Sequence, residues 1–448
     1  MDKLAAWIGD KLVGHLVFEA WTGLFAFDYS DAWQADPQSY PVSPALPFAR
    51  PTEDAVHSRS VRYFFENLMP EGAALDAAAT ANGVAKSNLF GLIRVLGRES
   101  TGAIALLPEG ERPDANREQP REITTDELSS RIRERDHIPF NVWDGKVRLS
   151  IAGLQDKIAV YMNEGRMYLA QGGGIASTHI VKPLPRRAGL ATLVANEHFC
   201  MKLAAAVGLR PAQVSIIRVP EPVLLIRRFD RRPTESGVGR THVIDACQAL
   251  DLPPAYKYER NFGSNPDVRH IRDGVSLAKL FGLSHLAAAP ALFNATILRW
   301  VLFQYLIGNS DAHGKNISFY VTRDGMLPAP PYDLVSVVAY KDFDSDLAMG
   351  ISDAFTFDDV MAFQWADFAQ QCKINRTLLV REMRRMIASV KKALQAPDDA
   401  GYTDEEKIVI AQVRGFILAQ CDRMSQAATL IPGIAEEELR TEIQSRQG

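Results

Sequence analysis

The feature that most constrains this chain is a change of hydrophobic period part-way along it. Up to about residue 230 the apolar residues fall largely in short strand-like runs, interrupted by a few short helical stretches. Beyond 240 they recur at helical spacing over long stretches, Ala295–Ile307, Arg376–Leu394 and Glu405–Ile431. A β-rich block followed by an α-rich block predicts an α+β architecture with two lobes, and a cleft between lobes is a common ligand site. A chain of 448 residues is also too long for one small core. Within the first block, Gly9-Asp10 separates two apolar runs as a hairpin turn would, and Phe25, Phe27 and Tyr29 alternate on a third strand. Val61, Phe64, Phe65 and Leu68 follow helical spacing up to Pro70, and Asn88–Leu96 reads as a short helix closed by Gly97. The polar, Pro-containing stretch after Leu107 marks a boundary. The expected organisation is an N-terminal subdomain over 1–110, a linker over 111–138, a strand-rich lobe over 139–232 and a helical lobe over 233–448.

Charge and composition narrow the function classes. The net charge of −4 and pI near 6.2 provide no global basic field for nucleic acid. No window offers the run of roughly 18 apolar residues that a membrane span needs, and the opening MDKLAAWIGDKLVGHL carries charges through its apolar run, unlike a signal peptide. Cys200, Cys247, Cys372 and Cys421 are widely separated, which fits reduced thiols in a cytoplasmic protein better than a disulfide framework or zinc site.

The strongest local pattern is Gly308-Asn-Ser-Asp-Ala-His-Gly-Lys-Asn316, directly after an apolar helix that Gly308 can end. A strand (Ile317–Val321), a turn at Asp324-Gly325 and then Pro331-Tyr332-Asp333-Leu334 follow. Phosphoryl transfer to a hydroxyl needs an aspartate to orient the nucleophile, an asparagine five positions on to hold Mg²⁺, and a second metal-binding aspartate after a hairpin. Asp311, Asn316 and Asp333 reproduce that order, and oxygen ligands suit a hard cation. Lys315 would neutralise charge on the transferring group. The same short spacing also occurs in ordinary capped turns, so the surrounding elements carry the reading.

The β-rich block supplies weaker parts in a matching order. Val147–Met162 reads as strand, loop, strand, with Gly153 at the tip and Lys157 beyond it; backbone N–H groups there would cradle phosphates, or the loop is a plain hairpin turn. Thr178–Pro183 is a short strand carrying Lys182, and the next helix, Thr192–Val207, carries Glu197, the order in which kinases pair their ATP-contacting lysine with a glutamate. Val223–Phe229 is an apolar strand whose backbone can meet an adenine edge. Asp230 either bonds a ribose hydroxyl or pairs with a neighbouring arginine, and the ion pair is the favoured of the two.

At these residues the sequence resembles the HipA family, kinase toxins of bacterial toxin–antitoxin pairs. FFENLMPEG (64–72) and GRESTGAIALLP (97–108) resemble that family's N-terminal subdomain; LSIAGLQDK (149–157), THIVKP (178–183), RRFDRR (227–232), GNSDAHGKN (308–316) and PYDL (331–334) resemble its kinase core. The resemblance implies a two-lobed protein-kinase-like fold and an ATP- and Mg²⁺-dependent serine/threonine-protein kinase. It implies Asp311 as the catalytic residue, Asn316 and Asp333 as metal ligands, and a nucleotide site from Ala152, Gly153, Leu154, Gln155, Asp156, Lys157, Lys182, Arg227, Arg228, Phe229, His313, Gly314, Lys315, Asn316, Tyr332 and Asp333. Ser150 would be autophosphorylated; a phosphate of about −1.5 to −2 charges at the root of a phosphate-cradling loop would repel ATP. The implied partners are a protein substrate such as glutamyl-tRNA synthetase, a small helix-turn-helix antitoxin, HipB, and operator DNA in a self-repressing complex. Two departures stand out. Arg227 replaces a glutamate expected at the start of the linker strand, and Gly350–Val360 is acidic where a basic loop would grip DNA, so the antitoxin would supply most phosphate neutralisation. A small-molecule kinase on the same scaffold and a catalytically silent scaffold are the alternatives; the N-terminal subdomain argues against the first, the intact Lys182, Asp311, Asn316 and Asp333 against the second.

Overall fold

The structure is a computed structural model that describes residues 1–113, 120–147, 155–169, 175–235, 237–343, 345–396 and 401–439. Ser150 and Ala152–Leu154 lie outside the described residues. The chain groups into two compact units. Unit one is Met1–Val194, Ala212–Pro254 and Ser318–Ala329; unit two is Ala195–Pro211, Ala255–Ile317 and Pro330–Gly448.

Unit one begins with an antiparallel sheet of β1 (Asp2–Ile8), β2 (Lys11–Glu19), β3 (Leu24–Tyr29) and β4 (Ile104–Pro108), in the order β3-β2-β1-β4. Gly9-Asp10 forms the expected turn, with Gly9 at φ 61°. Phe25 and Phe27 are buried, and the helix Asp54–Glu66 covers that face with Val61, Phe64 and Phe65. A six-stranded antiparallel sheet follows, built from β5 (Arg121–Ile123), β8 (Ile158–Asn163), β9 (Arg166–Leu169), β10 (His179–Pro183), β11 (Val214–Arg218) and β12 (Pro222–Arg227) in the order β11-β12-β10-β8-β9-β5; β6 (Val142–Trp143) and β7 (Lys146–Val147) make a small hairpin beside it.

Part of the segment expected as a linker belongs to this layer. β5 is an edge strand, and Ile123, Leu128 and Ile132 are buried in one core with Phe140, Trp143, Ile158, Val160, Val181 and Val223. Thr124 caps the helix Thr125–Arg133 through its hydroxyl, which accepts from the Glu127 N–H at 3.2 Å. The charged residues around these three apolar positions hid the pattern. Two further sheets complete unit one: the pair β13 (Arg231–Thr234) and β14 (Gly237–Arg240), and the three-stranded sheet β15 (Val243–Asp245), β16 (Ser318–Thr322), β17 (Gly325–Pro328) in that order. The hairpin after Asn316 is therefore present, with a third strand, β15, that the sequence reading left out.

The first 110 residues are bonded densely to residues 228–252. Gln248 Nε2 donates to Phe64 O at 3.0 Å, Asn67 Nδ2 to Leu252 O at 2.9 Å and Ser60 Oγ to the Asp251 carboxylate at 2.8 Å. The centre of this connection is a buried charge network. Asp230 accepts from Arg228 Nη2 at 2.7 Å, Arg231 Nη1 at 2.8 Å and the Gly102 N–H at 2.9 Å. Glu99 meets Arg231 at 3.2 Å, Arg228 at 3.6 Å and Arg240 more closely still, and accepts from Ser177 Oγ at 2.8 Å. Burial opposes ionisation of Glu99, but Arg240, Arg231 and Arg228 together hold its carboxyl down at about 2.

Unit two is helical. The helix Pro290–Ile307 is apolar on all sides, opens with Pro at its first turn and buries Phe293, Trp300, Phe303 and Leu306. Its length and apolarity would suit a bilayer span, yet 61% of it is buried inside the protein, as a core helix is. The helices Arg376–Leu394 and Asp404–Leu430 appear within a residue of the expected bounds, capped by Asn375 and by a Thr403/Glu406 capping box. The acidic stretch 350–360 is used internally: Asp353 pairs with Arg272 at 2.8 Å, and Phe355 lies 3.5 Å beneath the Arg260 guanidinium. All four cysteines are buried thiols.

Because its folded carboxyl titrates far below the ordinary value of 4.5, Glu99 stabilises unit one fully above about pH 4.5, and that contribution is lost as the pH falls through about 2. We expect Glu99→Gln to lower stability at pH 7 by about 3 kcal/mol, since it leaves buried arginines undercompensated. The gap from wild type should narrow with acidification, which thermal unfolding of both proteins at pH 7 and pH 3 checks.

Candidate functional site

The loop that carries the expected chemistry is built from the C-terminus of the helix Pro290–Ile307. Gly308 stops that helix at φ 71°, a left-handed conformation in which its N–H turns back to Tyr305 O at 3.2 Å and the Asn309 N–H to Gln304 O at 3.0 Å. The position also has no room for a side chain: a Cβ there would lie 2.5 Å from Val338 Cγ2 and 2.6 Å from Phe416 Cε1. Its carbonyl accepts from the Val337 N–H at 3.1 Å, so the segment after Asp333 is hung on the same residue.

Asn309 then organises the loop. It is buried; its Oδ1 accepts from the Asp311 N–H at 3.2 Å, while Nδ2 donates to Gln304 Oε1 at 2.9 Å and to Asp333 O at 3.4 Å. One side chain thus fixes the backbones of both Asp311 and Asp333. Asp333 itself sits at φ 56°, a left-handed geometry that aspartate tolerates better than most residues. The Asp311 carbonyl accepts from the His313 N–H at 2.8 Å and from Asn316 Nδ2 at 2.9 Å. With the amide nitrogen of Asn316 so engaged, its Oδ1 is the atom that would face a cation, and oxygen is the donor a hard cation prefers. Among the described residues no three of His, Cys, Asp and Glu cluster as a transition-metal site would require. The donor set Asn316 plus Asp333 therefore fits a cation that takes its other ligands from phosphate and water.

Around this centre, Tyr332 donates from its hydroxyl to Lys315 O at 2.6 Å, and the Gly314 N–H donates to Lys257 O at 2.9 Å. His313, Lys315 and Asn316 are buried, while Asp311 is exposed. Burial foremost, then the nearby Lys257 ammonium, push His313 down to about 3, with Asp333 working in the other direction. The imidazole is neutral at pH 7, and its Nδ1 accepts from the Lys315 N–H at 3.2 Å, which assigns the ring proton to Nε2. The Asp311 carboxylate accepts from Tyr258 Oη at 2.6 Å, and the Tyr258 ring stands edge-on to His313 at 5.0 Å.

Comparison with known proteins finds similarity over most of the chain. Residues 4–107 match the HipA N-terminal domain and residues 149–396 the HipA-like C-terminal domain. The serine/threonine-protein kinase toxin HipA of Shewanella oneidensis is 38% identical over 93% of this chain and 94% of its own length. The chain belongs to the HipA family. A candidate kinase of Sinorhizobium fredii is 33% identical over 87% of this chain and 90% of its own. The solved Shewanella oneidensis HipA, in complex with HipB and operator DNA, is similar at a TM-score of 0.85 and 37% identity, covering 96% of this chain and all of that one. As a HipA-family protein the chain is a serine/threonine-protein kinase, with the kinase-like α+β fold that the sequence implied.

The residues expected to form the site divide between the units. Asp311, His313, Gly314, Lys315, Asn316, Tyr332 and Asp333 are brought together in unit two, as described. Lys182 lies in unit one, buried on β10 opposite Leu224 of β12, and Glu197 lies in unit two, buried on the helix Leu193–Ala206. At the root of the candidate phosphate loop, Gln155 Nε2 donates to Pro183 O at 3.0 Å and Asp156 pairs with Arg135 at 3.6 Å. These side chains anchor the chain, which leaves the backbone for any phosphate contact from them.

On the expected adenine strand, some backbone groups are already engaged within unit one and others, the Arg227 carbonyl and the Phe229 N–H, carry the expectation. The Arg227 N–H donates to Gln213 O at 2.8 Å and the Arg228 N–H to Thr178 O at 2.9 Å, so both donors are committed to the sheet, and Phe229 O accepts from Tyr320 Oη at 3.0 Å. Asp230 is not a ribose ligand. It is 4% exposed and bonded to Arg228, Arg231 and the Gly102 N–H, the ion pair that was favoured.

Three residues of this site were not singled out from the sequence. Asn309 had a readable signal, an Asn two positions before Asp311 and directly after a helix-ending Gly, where a side-chain turn forms. Lys257 and Tyr258 had none, since they lie more than 50 residues upstream of Asp311. Gly308→Ala should destabilise the protein by about 2–3 kcal/mol, combining left-handed strain with overpacking against Val338 and Phe416. A thermal shift below that range would mean that the turn relaxes around a methyl group.

Proposed function

We propose that this chain transfers the γ-phosphoryl group of ATP to a serine hydroxyl on a protein, with Asp311 orienting the hydroxyl and accepting its proton. The observation that carries this reading is Asn309, which fixes the backbones of Asp311 and Asp333 from one buried side chain. Asn316 Oδ1 and the Asp333 carboxylate would hold Mg²⁺, which when bound neutralises phosphate charge during transfer. Neutral His313, Gly314, Lys315 and Tyr332 would border the nucleotide. Lys182 would contact its phosphates and pair with Glu197, and the backbone of Ala152–Lys157 would cradle them. In this reading residues 1–110 form the HipA-type subdomain, and 139–232 and 233–448 contribute the two kinase lobes.

The relative's description as a toxin, and its solved complex with HipB and operator DNA, support the biological role. This chain would be the cytoplasmic toxin of such a pair, restrained by a HipB-like helix-turn-helix antitoxin that contributes most of the contact with operator DNA. An aminoacyl-tRNA synthetase, such as glutamyl-tRNA synthetase, is the target class, and its phosphorylation would halt translation and arrest growth. Ser150 would be the autophosphorylation site.

Incubating the purified chain with ATP and Mg²⁺ should add one phosphate by intact mass, mapped to Ser150. Asp311→Gln should abolish the gain, at least about 10³-fold in rate, while nucleotide binding by calorimetry persists; loss of binding as well would make the loop structural rather than catalytic. Ser150→Ala should remove the phosphate and keep transfer to other proteins, and a phosphate found elsewhere would overturn that assignment.

A further inference from the structure

Tyr258 stands where an acceptor must come. A catalytic aspartate in phosphoryl transfer works by accepting a hydrogen bond from the attacking hydroxyl, at the short O–H···O⁻ distance of a charge-assisted bond. Here that bond is already made, by the Tyr258 hydroxyl to Asp311 Oδ1 at 2.6 Å. The phenol is held there from two sides, its ring edge-on to His313 at 5.0 Å and the Lys257 ammonium 5.6 Å from its centroid. The strand of chain bearing it is pinned at both neighbours. Lys257 O accepts from the Gly314 N–H at 2.9 Å, and Glu259 is buried with its N–H on Ala348 O at 2.9 Å and its carboxylate receiving the Gly350 N–H at 2.8 Å and Arg272 Nε at 2.7 Å. The Tyr258 backbone is thus held at both neighbours, whereas the Tyr258–Asp311 bond is exposed to solvent.

From this geometry we infer that Tyr258 is an internal occupant of the acceptor-hydroxyl site: its phenol covers the Asp311 carboxylate until a substrate serine hydroxyl displaces it. The inference rests on Asp311 being the base. With Tyr258 in place, the lone pair of Oδ1 that its hydroxyl occupies is closed to water. That suppresses the wasteful transfer in which a water oxygen bonds the γ-phosphorus, the bond to the β-phosphate oxygen breaks, ADP leaves and the water's proton passes to Asp311.

The test compares the full-length wild type with Tyr258→Phe, which keeps the ring on His313 and removes only the hydroxyl. ADP release is measured with ATP and Mg²⁺ alone, and phosphoryl transfer is measured to dephosphorylated casein as a probe acceptor. The variant should release ADP several-fold faster without acceptor, and its KM for casein should fall by up to about tenfold, the scale of one charge-assisted hydrogen bond, with no fall in kcat. Unchanged acceptor-free ADP release, or a lower kcat at unchanged KM, would make Tyr258 a support for Asp311 and overturn the inference. A wild type that releases no ADP and labels no protein would instead sink the reading of Asp311 as a base, and this inference with it. Thermal unfolding of both proteins identifies a variant that fails merely by misfolding, and Tyr258→Leu then serves as the second hydroxyl-free replacement.

Discussion

Unit one is organised around a charge cluster largely withdrawn from water. Arg228 and Arg231 are almost wholly buried, and each would be prohibitively costly there without Asp230 and Glu99. The two acids come from different stretches of chain: Glu99 precedes β4 of the first sheet, and Asp230 follows β12 of the second. Neither sheet can form its half of the cluster alone. A buried ion pair is a weak source of net stability, but it is demanding about geometry, because any register that separates the charges leaves one of them unpaired. Its main effect here is to tie residues 1–110 to the six-stranded sheet in one arrangement.

Unit two meets a different requirement with short-range bonds. A loop that must present a carboxylate to solvent and still hold its backbone has to satisfy its polar groups locally. Gly308, Asn309, the Asp311 carbonyl and Asn316 do this within nine residues, and the Asn309 amide reaches across to Asp333. The exposed Asp311 carboxylate is therefore mounted on a buried frame, which is the condition for a reactive group to be accessible and fixed at once.

Much of this was legible in the sequence because it depends on neighbours along the chain. The Gly9-Asp10 hairpin, the capped helices from Asn375 and Thr403 and the helix ended by Gly308 follow from local turn and cap chemistry, and Asp311, Asn316 and Asp333 are bonded around one loop. What could not be read depends on residues far apart. β5 is three residues long and gains its stability from pairing with β9; β15 is equally short and pairs across more than seventy residues with β16. The pairing of Asp230 with a neighbouring arginine was the favoured reading, but its other partners were not legible: Gly102 donates from 128 positions upstream, and Glu99 meets Arg231 from 132 positions upstream. Tyr258 carries no motif, and only the fold places its hydroxyl on Asp311.

The shared charge cluster bears on how such a chain can change over generations. The two family segments, 4–107 and 149–396, look like separable modules when laid out along the chain. Yet Glu99 belongs to one and its three arginines to the other, so a recombination breakpoint between them joins halves whose charges were not selected together. The segments are therefore expected to be inherited as one block, and chimeras assembled by exchanging either half should need the acid and its arginines transplanted as a set.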